Sequence, residues 1–199
     1  MSLFPNVKFL LSVAAPSQLP PDSGVDIAMA GRSNAGKSSA INAILSHGGL
    51  ARTSKTPGRT QMLNYFELLP GRRMVDLPGY GHAKVPGEVR VKWGPLIDSL
   101  RTRACFKGLM VVVDIRRGLL PEDEALLDWS GLPPEGLHVL LSKSDKLSRG
   151  QGLQVLRDVK AQLAGMASVS LLSSLKKTGL DEARAVLKRW CATGGGSAG

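Results

Sequence analysis

The order of apolar and polar segments along the 199-residue chain predicts an α/β fold, a mostly parallel sheet flanked by helices on both faces. Short apolar runs alternate with segments of helical periodicity. The runs 108–115 and 136–143 are largely continuous apolar runs, as expected for strands buried on both faces. A glycine-rich turn also joins the apolar run 25–31 directly to a helical pattern at 38–45. This strand–turn–helix unit is typical of parallel sheets.

Four further segments complete the predicted sheet. The segments 61–69 and 73–79 are separated by a Pro-Gly-Arg turn, which predicts an antiparallel hairpin. The run 168–174 predicts a shorter strand. The N-terminal run 8–16 resembles a signal peptide, but it is brief and ends at Pro16, so an added N-terminal strand is the favoured interpretation.

Three helix starts are visible in the sequence. Pro121 is followed by three acidic residues, which the positive end of a helix dipole favours. Ser148 with Gln151, and Thr178 with Asp181, have the spacing of capping boxes. The apolar stripe that follows Asp181 ends at Trp190, which we assign to the core.

The chain length suits one domain, which we place at residues 1–192, with a disordered glycine-rich tail at 193–199. A helical pattern over 88–103 contains Gly94-Pro95, which predicts a kink or a new helix start at Pro95. No apolar stretch approaches the length of a membrane span, so we expect no membrane partner.

Charge and cysteine content narrow the class of protein. Lys and Arg number 26 against 16 acidic residues, a net charge of +10, which favours a polyanionic partner or a generally basic surface. Aromatic residues are 5% and no DNA-reading motif is present, so phosphate-backbone contact fits better than base readout. Cys105 and Cys191 form no metal-binding pattern, which predicts a reduced cytoplasmic protein and leaves a disulfide open. The basic clusters are Arg52, Lys55 and Arg59; Lys84, Arg90 and Lys92; Arg101, Arg103 and Lys107; and Lys176 and Lys177.

The segment "GRSNAGKSS" has the Gly-x-x-x-x-Gly-Lys-Ser spacing of a phosphate-binding loop. Gly31 and Gly36 would let backbone N–H groups close around phosphates. Lys37 would neutralise the β- and γ-phosphates, and the Ser38 hydroxyl would bind Mg²⁺. The predicted phosphate contacts are Gly31, Arg32, Ser33, Asn34, Ala35, Gly36, Lys37, Ser38 and Ser39.

The segment "VDLPGYG" supplies a second set of predicted contacts. Asp76 ends a short apolar strand, where a carboxylate can hold Mg²⁺ through water, and the Gly79 N–H can sense a γ-phosphate. The predicted contacts are Asp76, Leu77, Pro78 and Gly79.

The segment "LLSKSDKL" identifies the base. Asp145 can accept hydrogen bonds from guanine N1–H and from the exocyclic amine, whereas adenine offers neither donor there. Lys143 would lay its stem along the base, and a backbone N–H of Ser173 or Ser174 would meet guanine O6. The predicted base contacts are Ser142, Lys143, Ser144, Asp145, Lys146, Ser173 and Ser174. An exposed charged turn and an ATPase are the alternatives, although an ATPase would have no use for Asp145.

The polar loop 50–61 is the candidate for a nucleotide-dependent switch. A threonine of such a loop can complete the Mg²⁺ shell with GTP and release it after hydrolysis. Thr60 is the first choice, with Thr53 and Thr56 as rivals, and an ordinary solvated loop is the alternative. The predicted contacts are Gly58, Arg59, Thr60 and Gln61.

Taken together, these motifs resemble the translation-factor-related P-loop GTPases, and more closely the EngB family of bacterial ribosome-biogenesis GTPases. The matching segments are "GRSNAGKSS", "ARTSKTPGRTQ", "VDLPGYGHAKVP", the tryptophan of "VKW", "DIRRGL", "LSKSDKL" and "SSLKKTGLD". The departures are Ala40, His82 and Ser142, where the family commonly has leucine, tyrosine and threonine. The resemblance implies a Ras-like P-loop GTPase fold with an added N-terminal strand.

The resemblance also implies a function. It implies a monomeric cytoplasmic switch that binds GTP, GDP and Mg²⁺ and acts on a precursor of the large ribosomal subunit, contacting rRNA and ribosomal proteins. A link to the cell cycle and septation is implied as well. The implied catalytic residues are Lys37, Thr60, Gly79 and Asn34, and the implied Mg²⁺ ligands are Ser38, Thr60 and Asp76. A non-enzymatic RNA-binding protein with a vestigial nucleotide site is the alternative.

Two residues bear on the rate of hydrolysis. Tyr80 occupies the position where Ras-type enzymes have the glutamine that orients the attacking water, so we expect slow intrinsic hydrolysis. Some relatives bind K⁺ through the loop asparagine that matches Asn34, which implies K⁺ stimulation. Alternatively, Asn34 bonds only its own backbone.

Overall fold

The computed structural model describes residues 3–51, 62–80 and 95–193. Its strands form one seven-stranded sheet in the spatial order β1-β3-β4-β2-β5-β6-β7. The strands are β1 (Lys8–Val13), β2 (Val25–Gly31), β3 (Leu63–Leu69), β4 (Arg72–Asp76), β5 (Phe106–Asp114), β6 (Leu137–Ser142) and β7 (Ser168–Leu171).

The pairing confirms the predicted, mostly parallel arrangement. The strands β4, β2, β5, β6 and β7 are parallel to one another. The strand β3 is antiparallel to β4, as the hairpin prediction required. The strand β1 adds to the outer side of β3 in antiparallel orientation. The N-terminal apolar run is therefore a strand.

Helices cover both faces of the sheet. Their bounds are α1 (Lys37–Ile44), α2 (Pro121–Ser130), α3 (Arg149–Leu163) and α4 (Leu180–Ala192), and residues 95–101 are also helical. The buried residues of α1 and α4 belong to one apolar cluster, whereas those of 95–101, α2 and α3 belong to the other. All residues of β2 and β6 are buried, which confirms that central strands lie between two helix layers.

Trp190 lies in the core, as expected, with 2% of its surface exposed. Its ring packs so closely on β5 that a Cβ added to Gly108 would lie 2.5 Å from it. Its Nε1 donates a hydrogen bond to the Glu135 carbonyl at 2.7 Å. Gly108 is therefore required for α4 to approach the sheet.

One of the two predicted capping boxes is present and the other is wrong. Ser148 caps α3 by accepting from the Gln151 N–H at 3.3 Å. The helix α4 instead follows Gly179, whose φ of 74° and close approach to the Leu171 carbonyl exclude a side chain. Thr178 makes paired backbone hydrogen bonds with another loop residue rather than a cap.

The edge of the sheet at which the parallel strands begin contains a closed polar network around Asp26. The Asp26 side chain is fully buried and accepts from Arg73 Nε at 2.5 Å. Its second oxygen lies 3.3 Å from the Cys105 thiol and 3.8 Å from Arg103 Nε. Burial and the Asp26 charge raise the pKa of the Cys105 thiol to about 12, so this cysteine is unreactive.

Cys105 and Cys191 are both free and buried. Thr193, which the sequence assigned to the tail, ends α4 with its N–H donating to the Trp190 carbonyl at 3.2 Å. Residues 194–199 and the predicted break at Gly94 lie outside the described residues. In the described part of the chain, no helix has the length and apolarity needed to cross a membrane.

Candidate nucleotide-binding site

The predicted phosphate loop lies between β2 and α1, at the edge where the parallel strands end. Two of its residues are left-handed, Asn34 with φ 67° and Gly36 with φ 92°. The Ala35 N–H donates back to the Arg32 carbonyl at 2.9 Å, which closes a tight turn. Successive backbone N–H groups in such a turn, followed by a helix N-terminus, form an anion-binding concavity.

The two glycines of this loop serve different purposes. Gly36 provides the left-handed residue directly before α1. A Cβ on Gly31 would lie 2.9 Å from the Val112 carbonyl of β5. Close packing against the neighbouring strand therefore requires glycine at 31, and its contact with phosphate stays a prediction.

Lys37 and Asp76 meet at the centre of the site. Lys37 Nζ donates a hydrogen bond to Asp76 Oδ1, and only about a tenth of each side chain is exposed, 11% and 9%. Burial raises the pKa of the Asp76 carboxyl, and the Lys37 ammonium opposes that shift. A further cation near Asp76 would stabilise its ionised form in the same way.

The residues present fit a magnesium ion held mainly by phosphates. Ser38 is the second residue of α1, so it follows Lys37 directly, and Asp76 ends β4. The described residues contain no cluster of three or more metal-binding side chains. Mg²⁺ commonly uses one or two protein oxygens together with nucleotide phosphates and water, and a hydroxyl with one carboxylate matches that requirement. The third predicted ligand, Thr60, lies outside the described residues.

The segment after Asp76 is bound to the phosphate loop through its backbone. The Ser33 N–H donates to the Tyr80 carbonyl at 2.9 Å, and the Tyr80 N–H donates to the Gly31 carbonyl at 3.3 Å. Gly79, one residue earlier, would place an added Cβ 3.1 Å from Ser33 Oγ. These contacts hold Gly79 directly beside the phosphate loop.

Tyr80 itself is buried, with 4% of its surface exposed, and its Oη donates to Asp123 Oδ1 of α2 at 2.5 Å. The side chain at the position of the Ras-type glutamine is therefore buried and hydrogen-bonded to a helix. That Tyr80 does not orient the attacking water stays a prediction.

Lys143 joins the base-reading loop to the phosphate loop. Its Nζ donates to the Asn34 carbonyl at 2.6 Å and to Asp114 Oδ2 at 3.0 Å. Arg116 binds the same carboxylate with Nε and Nη2 at 3.0 and 2.6 Å. These hydrogen bonds hold the pKa of Asp114 well below its usual range, so it is ionised.

Asp114 was not assigned a role from the sequence, although its position at the end of an apolar run could have indicated one. It is the last residue of β5, as Asp76 is the last residue of β4, and both strands end at the same edge of the sheet. A carboxylate at that position of a parallel strand indicates the functional edge.

Asp145 lies after β6 with 7% of its side chain exposed. Ser173 Oγ donates to Asp145 Oδ1 at 2.5 Å, and this hydrogen bond lowers the pKa of Asp145. The Ser173 N–H is already bonded to the Thr178 carbonyl at 3.0 Å, so its expected contact with guanine O6 is wrong. Ser173 orients Asp145 instead, and the N–H of Ser174 remains the predicted O6 donor.

Ser142 ties the end of β6 to the phosphate loop. Its Oγ lies 2.5 Å from the Ala35 carbonyl and 3.0 Å from the Val113 carbonyl, and it is buried. Threonine carries the same hydroxyl, so this departure from the family pattern leaves the contact available.

The phosphate loop and the base-reading loops enclose one groove of about 800 Å³, which is within the range of a small-molecule site. Gly36 and Ser39 line one side, and Lys143, Asp145 and Ser174 line another. The predicted contacts Ser144 and Lys146 lie in the turn that follows β6, and Leu77 and Pro78 follow β4. Gly58, Arg59, Thr60 and Gln61, with the rivals Thr53 and Thr56, lie outside the described residues.

The chain is similar to known GTP-binding proteins over nearly its whole length. Residues 26–143 match the model of a family described as 50S ribosome-binding GTPase. A probable GTP-binding protein EngB of Coxiella burnetii is 50% identical over 191 residues, which cover 94% of this chain and 93% of that protein. The chain belongs to the EngB family of GTPases. It is therefore a GTP-binding and GTP-hydrolysing enzyme, and members of such families usually bind Mg²⁺ with the nucleotide.

Other matches agree with the EngB assignment. The EngB protein of Methylococcus capsulatus is 48% identical, covering 93% of this chain and 90% of its own. A crystal structure of a probable GTP-binding protein EngB superposes with a TM-score of 0.64 at 21% identity, covering 85% of this chain and all of that one. A structure of Era with MgGDPNP and a 16S ribosomal RNA fragment has a TM-score of 0.58 at 20% identity, covering 83% and 56%. These structures share the P-loop GTPase fold.

Proposed function

We propose that this GTPase is a molecular switch that acts in the assembly of the large ribosomal subunit. In its GTP state it binds a precursor of that subunit through rRNA and ribosomal proteins, in the cytoplasm and as a monomer. Its intrinsic hydrolysis is slow, because Tyr80 is buried at the position of the water-orienting glutamine. The family description, 50S ribosome-binding GTPase, supports a partner of this kind.

The observation that best supports an RNA partner is a band of positive charge around the nucleotide groove, which we call the basic rim. It lies in the three segments that follow β5, β6 and β7, at 115–118, 143–151 and 173–178, the second of which includes the start of α3. Its exposed members are Arg116, Arg117, Lys146, Arg149, Lys176 and Lys177. The one acid of these loops is Asp145, whose side chain is nearly buried. Such a surface attracts phosphate backbones.

Arg149 indicates that the basic rim does not serve helix stability. It is the first residue of α3, where the positive end of the helix dipole disfavours a cation, and the first turn of α3 contains no acid. Because Lys146 and Lys177 of the rim line the groove, a polyanion bound there would contact the loops that hold the nucleotide. Binding of RNA and of nucleotide would then affect each other.

Sedimentation with purified large-subunit precursors tests the proposal. The protein is loaded with a GTP analogue, with GDP or with no nucleotide, and the salt concentration is raised. We expect binding to be tightest with the GTP analogue and to weaken steeply with salt. Equal binding in all three states would contradict the switch.

Charge reversal locates the contact. The triple variant Arg117→Glu, Arg149→Glu, Lys176→Glu should lose roughly tenfold or more in affinity for the precursor. The matched control reverses Lys107, Lys160 and Lys188, which are also exposed but lie at or towards the opposite edge of the sheet. Equal losses in the two triples would mean that total charge, rather than the basic rim, determines binding.

We also propose that K⁺ stimulates hydrolysis through Asn34. Asn34 is exposed and left-handed, and its side-chain amide makes no hydrogen bond within the described ranges. That observation disfavours the alternative in which the amide bonds its own backbone. Turnover is compared in KCl and NaCl for the parent and for Asn34→Ala. If neither the ion nor the substitution changes the rate, the proposal fails.

A further inference from the structure

The helix α2 contacts both ends of the segment that follows the Asp-x-x-Gly motif. At the first end, Tyr80 Oη donates to Asp123 Oδ1 at 2.5 Å. At the second end, Trp129 Nε1 donates to Asp98 Oδ1 at 3.0 Å. The Arg101 guanidinium also lies 5.7 Å from the centroid of the Trp129 ring. Residues 80 and 98 are therefore both attached to one rigid helix.

The contact at Tyr80 is the more constrained of the two. Asp123 is fully buried, and its Oδ2 accepts from the Leu120 N–H at 2.9 Å, which fixes the carboxylate at the start of α2. Its neighbour Glu122 pairs with Arg32 of the phosphate loop at 3.3 Å. The first turn of α2 therefore contacts both the phosphate loop and the Asp-x-x-Gly segment.

The backbone of Tyr80 carries this constraint to the reacting groups. Its carbonyl and N–H are bonded to Ser33 and Gly31, at 2.9 and 3.3 Å. Gly79, whose N–H is the predicted γ-phosphate donor, is the preceding residue. Tyr80 is thus held at its hydroxyl by α2 and at its backbone by the phosphate loop, next to Gly79.

We propose that Asp123 is a positioning residue for GTP hydrolysis that acts through Tyr80. The carboxylate holds the Tyr80 hydroxyl, and the fixed ring holds Gly79 where its N–H meets the charge that develops on the γ-phosphate. Asp123 does not touch the nucleotide. Donors that stabilise a transition state must be held accurately, so loosening Tyr80 lowers the rate with little effect on ground-state binding.

Three variants test this inference: Tyr80→Phe, Asp123→Asn and the double variant. Tyr80→Phe removes one hydroxyl and leaves the Asp123 cap on α2 in place. We expect each single variant to lower the intrinsic kcat roughly 3- to 10-fold, with KM and GDP affinity within about twofold of the parent. The double variant should lose no more than the worse single variant, because both substitutions break one contact.

The matched control is Asp128→Asn, an exposed carboxylate on the same helix, which should leave kcat and KM unchanged. The inference is overturned if both single variants retain the parent kcat, or if their effects on kcat multiply in the double variant. It is also overturned if GDP affinity and melting temperature fall along with kcat, since a general structural defect would do that. Intrinsic turnover of the isolated protein is the readout, so the outcome does not depend on the ribosomal partner. If Asp123→Asn does not fold, Tyr80→Phe decides alone.

Discussion

The two edges of the sheet each bury a carboxylate beside a cation, but the two pairs differ in what surrounds them. At the edge where the parallel strands begin, Asp26 is fully buried and is close to Arg73, Arg103 and the Cys105 thiol. At the edge where they end, Asp76 is 7% exposed, and in the described residues its side chain is hydrogen-bonded to Lys37 alone.

This difference separates a structural pair from a functional one. Both Asp26 oxygens have a hydrogen-bond partner, and the side chain is fully buried, so it is closed to a ligand. Asp76 and Lys37 each retain bonding capacity, and a phosphate or a metal ion can take part of it. A buried ion pair indicates a site when it lies beside a phosphate-binding loop and is incompletely bonded.

Left-handed non-glycine residues occur in the loops beside the groove. Asn34 and Lys143 lie after the ends of β2 and β6. Such conformations are unfavourable for most residues and persist where surrounding contacts fix them. We therefore expect substitutions at the groove edge to affect nucleotide binding, and substitutions at the opposite edge to affect stability.

The largest expected effect is on base selection. Asp145→Asn replaces an acceptor by an amide that can donate, so it should bind a xanthine carbonyl where guanine has an amine. We expect the preference for GTP over XTP to fall about 10³-fold, or about 4 kcal/mol. Competition binding with both nucleotides measures it. Asp181→Asn, whose carboxylate is 96% exposed, is the control, and an unchanged preference in Asp145→Asn would reject the assignment.

The next effect is on stability at the opposite edge. Asp26→Asn should lower the free energy of unfolding by about 3 kcal/mol, because Arg73 and Arg103 lose their buried carboxylate. Glu67→Gln, which breaks an exposed pair with Lys8, should cost less than about 1 kcal/mol. Denaturant unfolding gives both values. A loss of GDP affinity in folded Asp26→Asn would mean that the two edges are not independent.

A third effect depends on pH. Burial lowers the pKa of His138 to about 4, and its ring nitrogens lie 2.7 and 2.9 Å from the Ser168 and Ser170 hydroxyls. The unfolded chain binds the extra proton below about pH 6.5, so this group stabilises the fold above that pH and loses the contribution as pH falls towards 4.

Between pH 7.5 and pH 5, His138 alone should remove about 2 kcal/mol from the free energy of unfolding. His138→Asn should show a correspondingly smaller difference between the two pH values. Unfolding curves of parent and variant at both pH values measure the change. The same pH dependence in parent and variant would show that His138 does not titrate in this way.

The smallest effect tests the link between the base and phosphate loops. Ser142→Ala removes the hydroxyl from the Ala35 and Val113 carbonyls and should weaken GDP binding about fivefold, or about 1 kcal/mol. Ser142→Thr keeps the hydroxyl and should bind as the parent does. Calorimetry distinguishes the two variants. Equal affinities for parent and Ser142→Ala would show that the two loops are positioned independently.

The sequence predicted the features that depend on local pattern. Continuous apolar runs gave the central strands, and the spacing of Ser148 and Gln151 gave a helix cap. The errors arose in the loop between β7 and α4, where contacts of the folded backbone decided the outcome. Gly179 starts α4 because the Leu171 carbonyl leaves no space for a side chain, and the Ser173 N–H is used by the Thr178 carbonyl.

Asp123 is the clearest example of a role that local pattern conceals. Its position after Pro121 suggested a favourable interaction with the helix dipole, and it does accept the Leu120 N–H. Its contact with Tyr80, 43 residues away, arises only when α2 packs on the sheet beside the phosphate loop. Periodicity and spacing carry no information about that distance.

The contacts of Lys143 have a consequence for redesigning the enzyme. Lys143 Nζ donates hydrogen bonds to both the Asn34 carbonyl and Asp114, so this lysine stabilises the phosphate loop. It is also a predicted contact of the base. Among the described contacts, Asp145 makes none with the phosphate loop. Its carboxylate accepts a hydrogen bond from Ser173 and lies near the Lys146 ammonium. A protein engineer can therefore reprogram the nucleotide at position 145 alone, whereas any change at 143 would alter the affinity for every nucleotide at once.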